Sequence, residues 1–221
     1  MQPLFRFRLL SSRVLIAAAL ASSLGLTACA PVLVGGAVLG TTLAATDRRT
    51  VGMQVEDKNI GLKVSSRLSG RYDNASINVE VYDRKVLLVG QVPNQQAKQD
   101  AELQARTVEN VREVVNELEE NFPSSFSTRS NDLLIASKIK ASLIDAKDIF
   151  ANSFKVSVEQ GVVYLMGKVT EREGRRGTEL AAGVQGVRKV VKVFDYISEA
   201  ELEGMKKVEA PRADGATDKS M

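Results

Sequence analysis

The sequence predicts an α+β protein built from two tandem domains, each with the element order helix–strand–strand–helix–strand. Two observations lead to this prediction. One pattern of apolar residues occurs twice in the 221-residue chain, with the copies about 75 residues apart. Within each copy the apolar spacing changes from four residues, typical of a helix, to two residues, typical of a strand. Units of about 65 residues with this order predict a two-layer sandwich, in which two helices cover one face of a small three-stranded mixed sheet.

The first helix of each copy is predicted from apolar residues that lie four positions apart. It runs from Asp57 to Leu68 in the first copy and from Asp132 to Leu143 in the second. Residues at this spacing share one face of a helix, so we expect that face to pack on the sheet. The aligned apolar residues are Ile60, Val64 and Leu68 in the first copy and Ile135, Ile139 and Leu143 in the second.

Alternating apolar residues predict the first strand of each copy, and two further apolar runs that match between the copies predict the other two strands. The predicted strands are 77–81, 86–92 and 111–118 in the first copy and 154–158, 163–169 and 187–194 in the second. Gln160-Gly161 is predicted to form a hairpin turn. The second helix of each copy is expected to begin at a cap, which is Asn94 in the first copy and Thr170, in a capping box with Glu173, in the second.

Changes in composition set the predicted domain boundaries. The linker between the copies contains Pro123 and several serines, and the polar C-terminal segment is expected to begin as a helix near residues 199–208. The predicted ranges are 1–28 for a signal peptide, 29–52 for a lipidated Gly/Ala-rich tether, 53–120 for domain 1, 121–130 for the linker, 131–198 for domain 2 and 199–221 for a flexible tail.

The N-terminal 29 residues place a basic start before a short apolar run. Three arginines precede Val14–Leu20, and no acidic residue occurs before Cys29. This order is typical of a secretory signal peptide, and the run is too short for a membrane-spanning helix. The segment Leu26-Thr27-Ala28-Cys29 resembles the bacterial lipobox, which implies cleavage before Cys29 and acylation of that cysteine. The alternative is an ordinary secreted protein with a coincidental cysteine. Ala30, where an aspartate favours the inner membrane, implies the outer membrane and its periplasmic side.

Composition excludes several classes of function. The signal peptide holds three of the 30 basic residues, so the mature chain has 27 basic and 27 acidic residues and gives no indication of nucleic-acid binding. The chain has no histidine, and Cys29 is its only cysteine, so a Ser-His-Asp or Cys-His catalytic apparatus is not available. We therefore predict a protein that is not an enzyme, with no metal site, no cofactor and no nucleic-acid partner.

Specific motifs add a family resemblance. The closing run Gly186–Val191 (GVRKVV) and the segment Val163–Glu173 (VYLMGKVTERE), in the αββαβ order, resemble the BON domain. Together with the lipobox and the segment Ala45–Gly52 (ATDRRTVG), they resemble the dual-BON outer-membrane lipoproteins, the division and outer-membrane-stress-associated lipid-binding proteins. The resemblance implies a non-enzymatic protein that supports outer-membrane integrity. It further implies binding of anionic phospholipid, such as phosphatidylglycerol, through the second domain, and concentration at the division site.

The residues themselves also favour the second domain as the lipid-binding one. Residues 56–120 carry nine basic and twelve acidic side chains, whereas residues 130–197 carry eleven and eight. The helix that begins at Asp132 has a second apolar stripe opposite its buried face, edged by lysines. The predicted lipid-binding residues are Leu133, Leu134, Lys138, Lys140, Ala141 and Ile144. The aligned positions of the first domain, Lys58, Asn59, Ser66 and Ser69, are polar, although Leu62 is apolar where the second domain has Ser137.

Other interpretations of the same residues remain open at this point. Leu133, Leu134 and Ile144 could dock on the first domain instead of lipid. The resemblance places a tryptophan at the position of Leu134, so the interfacial preference of that ring is lost here. The protein could also be an adaptor for outer-membrane assembly or cell-wall proteins, or a periplasmic chaperone, which the lipobox disfavours. The cluster Glu171-Arg172-Glu173 is expected to be a solvated first helical turn.

Overall fold

A computed structural model describes residues 47–209 of the chain, with side chains up to residue 205. The predicted signal peptide, Cys29, almost all of the tether and the tail beyond residue 209 lie outside the described residues. The elements of the first repeat are α1 (Val51–Leu68), β1 (Ser76–Tyr82), β2 (Lys85–Val92), α2 (Gln95–Arg106) and β3 (Glu113–Glu120). Those of the second repeat are α3 (Phe126–Asp145), a 3-10 turn (Ala151–Ser153), β4 (Lys155–Glu159), β5 (Val162–Val169), α4 (Glu171–Ala182) and β6 (Lys189–Tyr196), followed by α5 (Glu199–Glu209).

Each repeat forms a three-stranded mixed sheet, as the sequence predicts. In both sheets the middle strand pairs antiparallel with the strand before it and parallel with the strand after the second helix. The hairpin turns are Asp83-Arg84 and Gln160-Gly161, and all four residues have positive φ, which is the geometry of a tight type I′ turn. The α+β class and the αββαβ order are therefore confirmed.

The last strand of each repeat begins two residues later than predicted, at Glu113 and at Lys189. The register explains this difference. The middle strand β2 begins at Lys85, immediately after its hairpin turn, and Lys85 is already the partner of Glu113. Residues before Glu113 have no strand beside them, and the Arg112 N–H donates instead to the carbonyl of Arg84 in the turn.

Helices α1 and α3 both begin six residues earlier than predicted. The hydroxyl of Thr50 accepts a hydrogen bond from the N–H of Met53, and the hydroxyl of Ser125 accepts one from Thr128, so both hydroxyls act as N-caps. The added turns have no side chain in the core, and core periodicity could not reveal them. Part of the predicted tether and part of the predicted linker are consequently helical.

The other caps agree with the sequence predictions. The side chain of Asn94 accepts from the N–H of Ala97 at the start of α2. Thr170 and Glu173 form the expected capping box at the start of α4. The expected C-terminal helix is present as α5, which covers residues 199–209.

One face of each sheet is covered by the two helices of the same repeat. The predicted helix residues Ile60 and Val64 are fully buried, as are Ile139 and Leu143 at 0% and 1% exposure. They pack on strand residues such as Val86 and Leu165. Each repeat thus has its own core, which is the two-layer sandwich that the sequence predicts.

The opposite faces of the two sheets pack against each other. The residues of this intersheet cluster are Tyr82, Leu87 and Val89 from the first repeat and Tyr164, Met166 and Val193 from the second. Polar contacts cross the same boundary: Lys85 pairs with Asp195 at 3.0 Å and Lys155 pairs with Glu80 at 2.7 Å. Since β2 is covered on one face by helices and on the other by a sheet, every residue of it is buried.

Candidate functional site

The predicted lipid-binding residues lie together on the solvent side of α3. Leu133, Leu134 and Ile144 are exposed by 70%, 62% and 70%, although all three side chains are large and apolar. Ala141, Lys138 and Lys140 are also exposed. The interpretation that the apolar residues dock on the first domain is wrong, because the two repeats meet through their sheets and leave this face of α3 uncovered.

Unpaired positive charge accompanies this apolar face. In the described part of the chain, Lys138, Lys140 and the nearby Lys147 form no ion pair with a carboxylate. Other basic residues of the domain do, as Arg176 does with Asp148 at 3.1 Å. The Ser137 hydroxyl, which lies among the apolar side chains, donates to the carbonyl of Leu133 at 2.8 Å and is satisfied within the helix. The face can therefore contact an apolar medium and carry cations at its border.

Sequence reasoning missed Phe126, the first residue of α3. Its ring is 80% exposed, and Phe122 in the preceding linker is 81% exposed. At about 100° per residue, Phe126 lies within about 20° of Leu133 and Ile144 around the helix. The apolar spacing predicts that the helix begins at Asp132, which places Phe126 in the linker. The signal that could have found it is Ser125, a residue type that commonly caps helices.

The segment before α1 holds the two repeats together through Arg48. The guanidinium of Arg48 donates to both carboxylate oxygens of Glu173, at 2.7 and 2.8 Å, and to the carbonyl of Lys168 at 2.7 Å. The two side chains are only 7% and 1% exposed. Burial raises the pKa of Glu173, but hydrogen bonds from Arg48 and from the Thr170 N–H outweigh it and hold that pKa below its usual range. The expectation of a solvated turn is therefore wrong for Glu173, because the turn is covered by a residue distant in sequence.

Arg49 makes the corresponding contacts on the first repeat. Its guanidinium donates to Asp57 and to Asp47, each at 2.7 Å, and lies 4.0 Å from the ring centre of Tyr82. Burial, reinforced by the charge of Asp47, raises the pKa of Tyr82 to about 12. We call Asp47-Arg48-Arg49 the clamp segment, because its two arginines bind different repeats.

Asp57 also fixes α1 to the hairpin turn of its own repeat. Its carboxylate accepts from the N–H groups of Asp83 and Arg84 at 2.8 and 2.7 Å. Asp132 does the same in the second repeat, accepting from Gln160 and Gly161, both at 2.8 Å. Each first helix thus has a fixed position on its sheet, which also fixes the direction of the outer face of α3.

The duplicated αββαβ architecture and its sequence motifs coincide with one known domain family. Residues 56–121 and 131–198 each match the BON domain. The chain belongs to the BON-domain family. The two matched ranges correspond to the two repeats and together cover more than half of the chain, so the predicted dual-BON organisation is confirmed.

Two curated relatives are similar to this BON protein over most of its length. The "Outer membrane lipoprotein DolP" of Haemophilus influenzae is 33% identical over 185 residues, which cover 82% of this chain and 95% of the relative. The "21 kDa hemolysin" of Actinobacillus pleuropneumoniae is 35% identical over 154 residues, which cover 68% and 79%. The predicted location at the outer membrane agrees with the first relative and is confirmed.

The structure was also searched for helices that could span a membrane. Among residues 47–209, no helix combines the length and the apolar character needed to cross a bilayer. Acylation of Cys29 stays a prediction, since that residue lies outside the described part.

Among solved structures, CdsD of the Chlamydia trachomatis type III secretion system matches 67% of this BON protein and 97% of its own chain, with 11% identity and a TM-score of 0.28. That similarity carries no conclusion about fold or function.

Proposed function

We propose that this BON protein maintains outer-membrane integrity by binding anionic phospholipid, such as phosphatidylglycerol, through the outer face of α3. The observation that supports the proposal is the apolar stripe of Leu133, Leu134 and Ile144, which is exposed by 62–70%. Beside it lie Lys138 and Lys140, which pair with no carboxylate in the described part of the chain. Contiguous exposed apolar side chains usually mark an interaction surface. A stripe of this kind with lysines at its edge suits the headgroup boundary of a bilayer.

The acyl anchor and the α3 face contribute different amounts of free energy to membrane binding. Each lysine near an anionic bilayer contributes about 1 kcal/mol, and burial of apolar surface adds about 25 cal/mol per Å². These terms are small beside the binding of a multiply acylated N-terminus, which already holds the protein on the membrane. The α3 face therefore acts on a protein that is already tethered. Its role is to select the local lipid composition rather than to provide attachment.

Phe126 extends this surface at the start of α3. Leucine at position 134 lacks the polar edge that makes an aromatic ring favourable at the membrane interface. An exposed phenylalanine on the same side of the helix, about two turns away, also lacks that polar edge but adds apolar ring surface to the face. We therefore include Phe126 with the predicted residues of the lipid-binding face, and assign no catalytic role to any residue of the chain.

The proposal is tested with a soluble form in which Cys29→Ala removes the acylation site. We expect this form to co-sediment with vesicles that contain phosphatidylglycerol and not with vesicles of phosphatidylcholine alone. Leu134→Glu should abolish the co-sedimentation, because it places a charge in the apolar stripe. The matched control is Leu103→Glu on α2, where the native leucine is 60% exposed outside the stripe. Unchanged co-sedimentation of the Leu134→Glu form would exclude α3 as the lipid contact.

Crosslinking in cells separates lipid binding from the adaptor function. A photoreactive residue at position 134 should give few protein adducts if this face contacts lipid. A dominant adduct with one outer-membrane or cell-wall protein would instead indicate an adaptor. Position 103 provides the background level of adducts for an exposed leucine site.

A further inference from the structure

Strand β1 leaves one edge of the first sheet without a partner strand. Within residues 47–209, β1 pairs only with β2, and β4 of the second sheet pairs only with β5. A groove with a volume of about 900 Å³ lies between the repeats on the side of these two strands. Its walls include Val79 and Val81 of β1 together with Phe154 and Val156 of β4. We call it the edge groove, because two sheet edges that pair with no further strand of the described chain border it.

The register of β1 shows which of its backbone groups face the edge groove. Tyr82 and Lys85 flank the two-residue hairpin turn, and the partners that close such a turn exchange hydrogen bonds. Because hydrogen-bonded and non-hydrogen-bonded pairs alternate along an antiparallel ladder, Val81 and Val79 direct their N–H and C=O groups away from β2. The Val81 carbonyl accepts instead from the ammonium group of Lys155 at 3.0 Å, as this geometry requires. No backbone group elsewhere in residues 47–209 pairs with the outward groups of Val79.

The β1 edge lacks the charges that protect the opposite edge of the same sheet. Charged side chains along an edge strand discourage the addition of another strand. The opposite edge, β3, carries four glutamates among its eight residues, at positions 113, 117, 119 and 120. Strand β1 contains one charged residue, Glu80, and Lys155 pairs with it at 2.7 Å. Of the two edges of the first sheet, β1 is therefore the one that is open to strand addition.

The surface of the edge groove suits a peptide better than a lipid chain. Val81 and Phe154 are only 4% and 9% exposed, so the floor of the groove offers little free apolar surface to an acyl chain. A peptide that adds to a sheet edge gains its affinity from main-chain hydrogen bonds, and the side chains beside it provide specificity. The outward backbone groups of Val79 and Val81 are the groups that such a peptide needs.

The charges of the edge groove favour an acidic peptide. The carboxylates that line the groove are all in ion pairs with cations of the same groove: Asp47, Asp57 and Glu80. Lys58 of α1 and Lys140 of α3 also line it, and both side chains are exposed. Neither lysine has a carboxylate in ion-pair contact among the described residues. The groove thus has two cations available for carboxylates of a ligand.

From these observations we infer that β1 binds an extended, acidic segment of another envelope protein, which joins the first sheet as a fourth strand. The backbone of the segment pairs with the outward N–H and C=O groups of Val79 and Val81, and its carboxylates contact Lys58 and Lys140. Lys155 leaves the Val81 carbonyl to make room for the new strand. The inference is independent of the proposed function, because the site shares only Lys140 with the lipid-binding face and lies on a different strand and helix.

A synthetic peptide tests this inference. The probe is a capped peptide as long as β1 in which glutamate and valine alternate, and its counterparts carry lysine for glutamate or N-methyl groups in place of the backbone N–H. In the soluble Cys29→Ala form, we expect the acidic peptide to slow hydrogen exchange of the Val79 and Val81 amides at least about tenfold, as measured by NMR. The two counterparts should leave exchange unchanged. Unchanged exchange with the acidic peptide, or equal protection by the lysine peptide, would overturn the inference.

Variants of the protein test the same contacts from the other side. Val79→Pro removes an outward N–H and no ladder bond, which an edge strand tolerates, and it should weaken peptide binding at least about tenfold. Val79→Thr keeps the N–H and the branched shape and is the matched control. Lys58→Gln should weaken binding about threefold, whereas Lys63→Gln, on α1 but outside the groove, should not. Circular dichroism shows whether each variant is folded. Native affinity of folded Val79→Pro, or of Lys58→Gln, would contradict the assigned contacts.

The same amides report on other occupants of the groove. Protection of Val79 that rises with protein concentration in the absence of peptide would show a second copy of the chain on the β1 edge. Protection by phosphatidylglycerol vesicles without peptide would show a lipid contact instead. Either result would overturn the inference of a peptide site. If Val79→Pro does not fold, the N-methylated peptide decides, because it removes hydrogen bonds of the same pairing from the ligand.

Discussion

Removal of the Arg48 side chain should destabilise the protein far more than removal of an exposed arginine. Arg48→Ala leaves the Glu173 carboxylate, which is only 1% exposed, without its guanidinium partner. The loss of one partner of a buried ion pair typically costs about 3–5 kcal/mol, because the remaining charge stays buried and uncompensated. We expect a loss in that range, with a decrease of about 10 °C in Tm for a domain pair of this size.

The pH dependence distinguishes an unpaired charge from a simple loss of packing. In the native protein the pKa of Glu173 is held below its usual range, so its contribution to stability is present above the unfolded pKa of about 4.3 and is lost as the pH falls through the folded pKa. Without Arg48, burial is the dominant effect and raises that pKa. The buried carboxyl group is then protonated at pH 4, and the penalty is relieved. The destabilisation by Arg48→Ala should therefore be larger at pH 7 than at pH 4.

The assay is urea denaturation of the soluble Cys29→Ala form, followed by circular dichroism at both pH values. Arg175→Ala is the control, since Arg175 is 68% exposed and lies 3.8 Å from Glu171, an arrangement worth less than about 1 kcal/mol. Adding Glu173→Gln to Arg48→Ala should restore part of the stability at pH 7, because the buried charge is gone. A loss below about 1 kcal/mol, or an equal loss at pH 4 and pH 7, would refute the assigned role of the Arg48–Glu173 pair.

Three further predictions concern the separate domains. Asp132→Ala should lower the free energy of unfolding by about 2 kcal/mol, because the N–H groups of Gln160 and Gly161 lose their acceptor. A loss below about 0.5 kcal/mol, measured by urea denaturation at pH 7, would contradict this prediction. Leu165→Ala should lower the free energy of unfolding by about 2–5 kcal/mol, because it leaves a cavity at a fully buried site. A variant as stable as the native protein in the same assay would show that the core relaxes to fill the space. Hydrogen bonds from Arg71 and then Tyr72 lower the pKa of Asp100 to about 2. The stabilising contribution of Asp100 is therefore present above about pH 3.9 and is lost as the pH falls towards 2. NMR titration of this carboxyl group should show the low pKa, and a midpoint near 3.9 would contradict the prediction.

Apolar spacing and capping residues were sufficient to predict the helices and strands within one repeat. The spacing of Ile135, Ile139 and Leu143 predicted which face of α3 is buried, and Asn94 and Thr170 predicted where α2 and α4 begin. They succeeded because burial periodicity and capping depend on residues close together in the chain. The same logic failed for the first turns of α1 and α3, where exposed residues carry no periodicity. The exposed Phe126, which belongs to the candidate site, was missed for that reason.

The sequence by itself determined the duplicated αββαβ fold, the family and the apolar outer face of α3, since each depends on a pattern within one repeat. Only the tertiary structure decided what covers the second face of each sheet, because the continuous apolar runs of β2 and β5 indicate burial on both faces but are the same for any apolar partner. It also decided that Glu173, which has the sequence of a solvated turn, is buried against Arg48, 125 residues away. A contact between residues so distant in the chain leaves no local pattern, because it arises only when the two sheets meet.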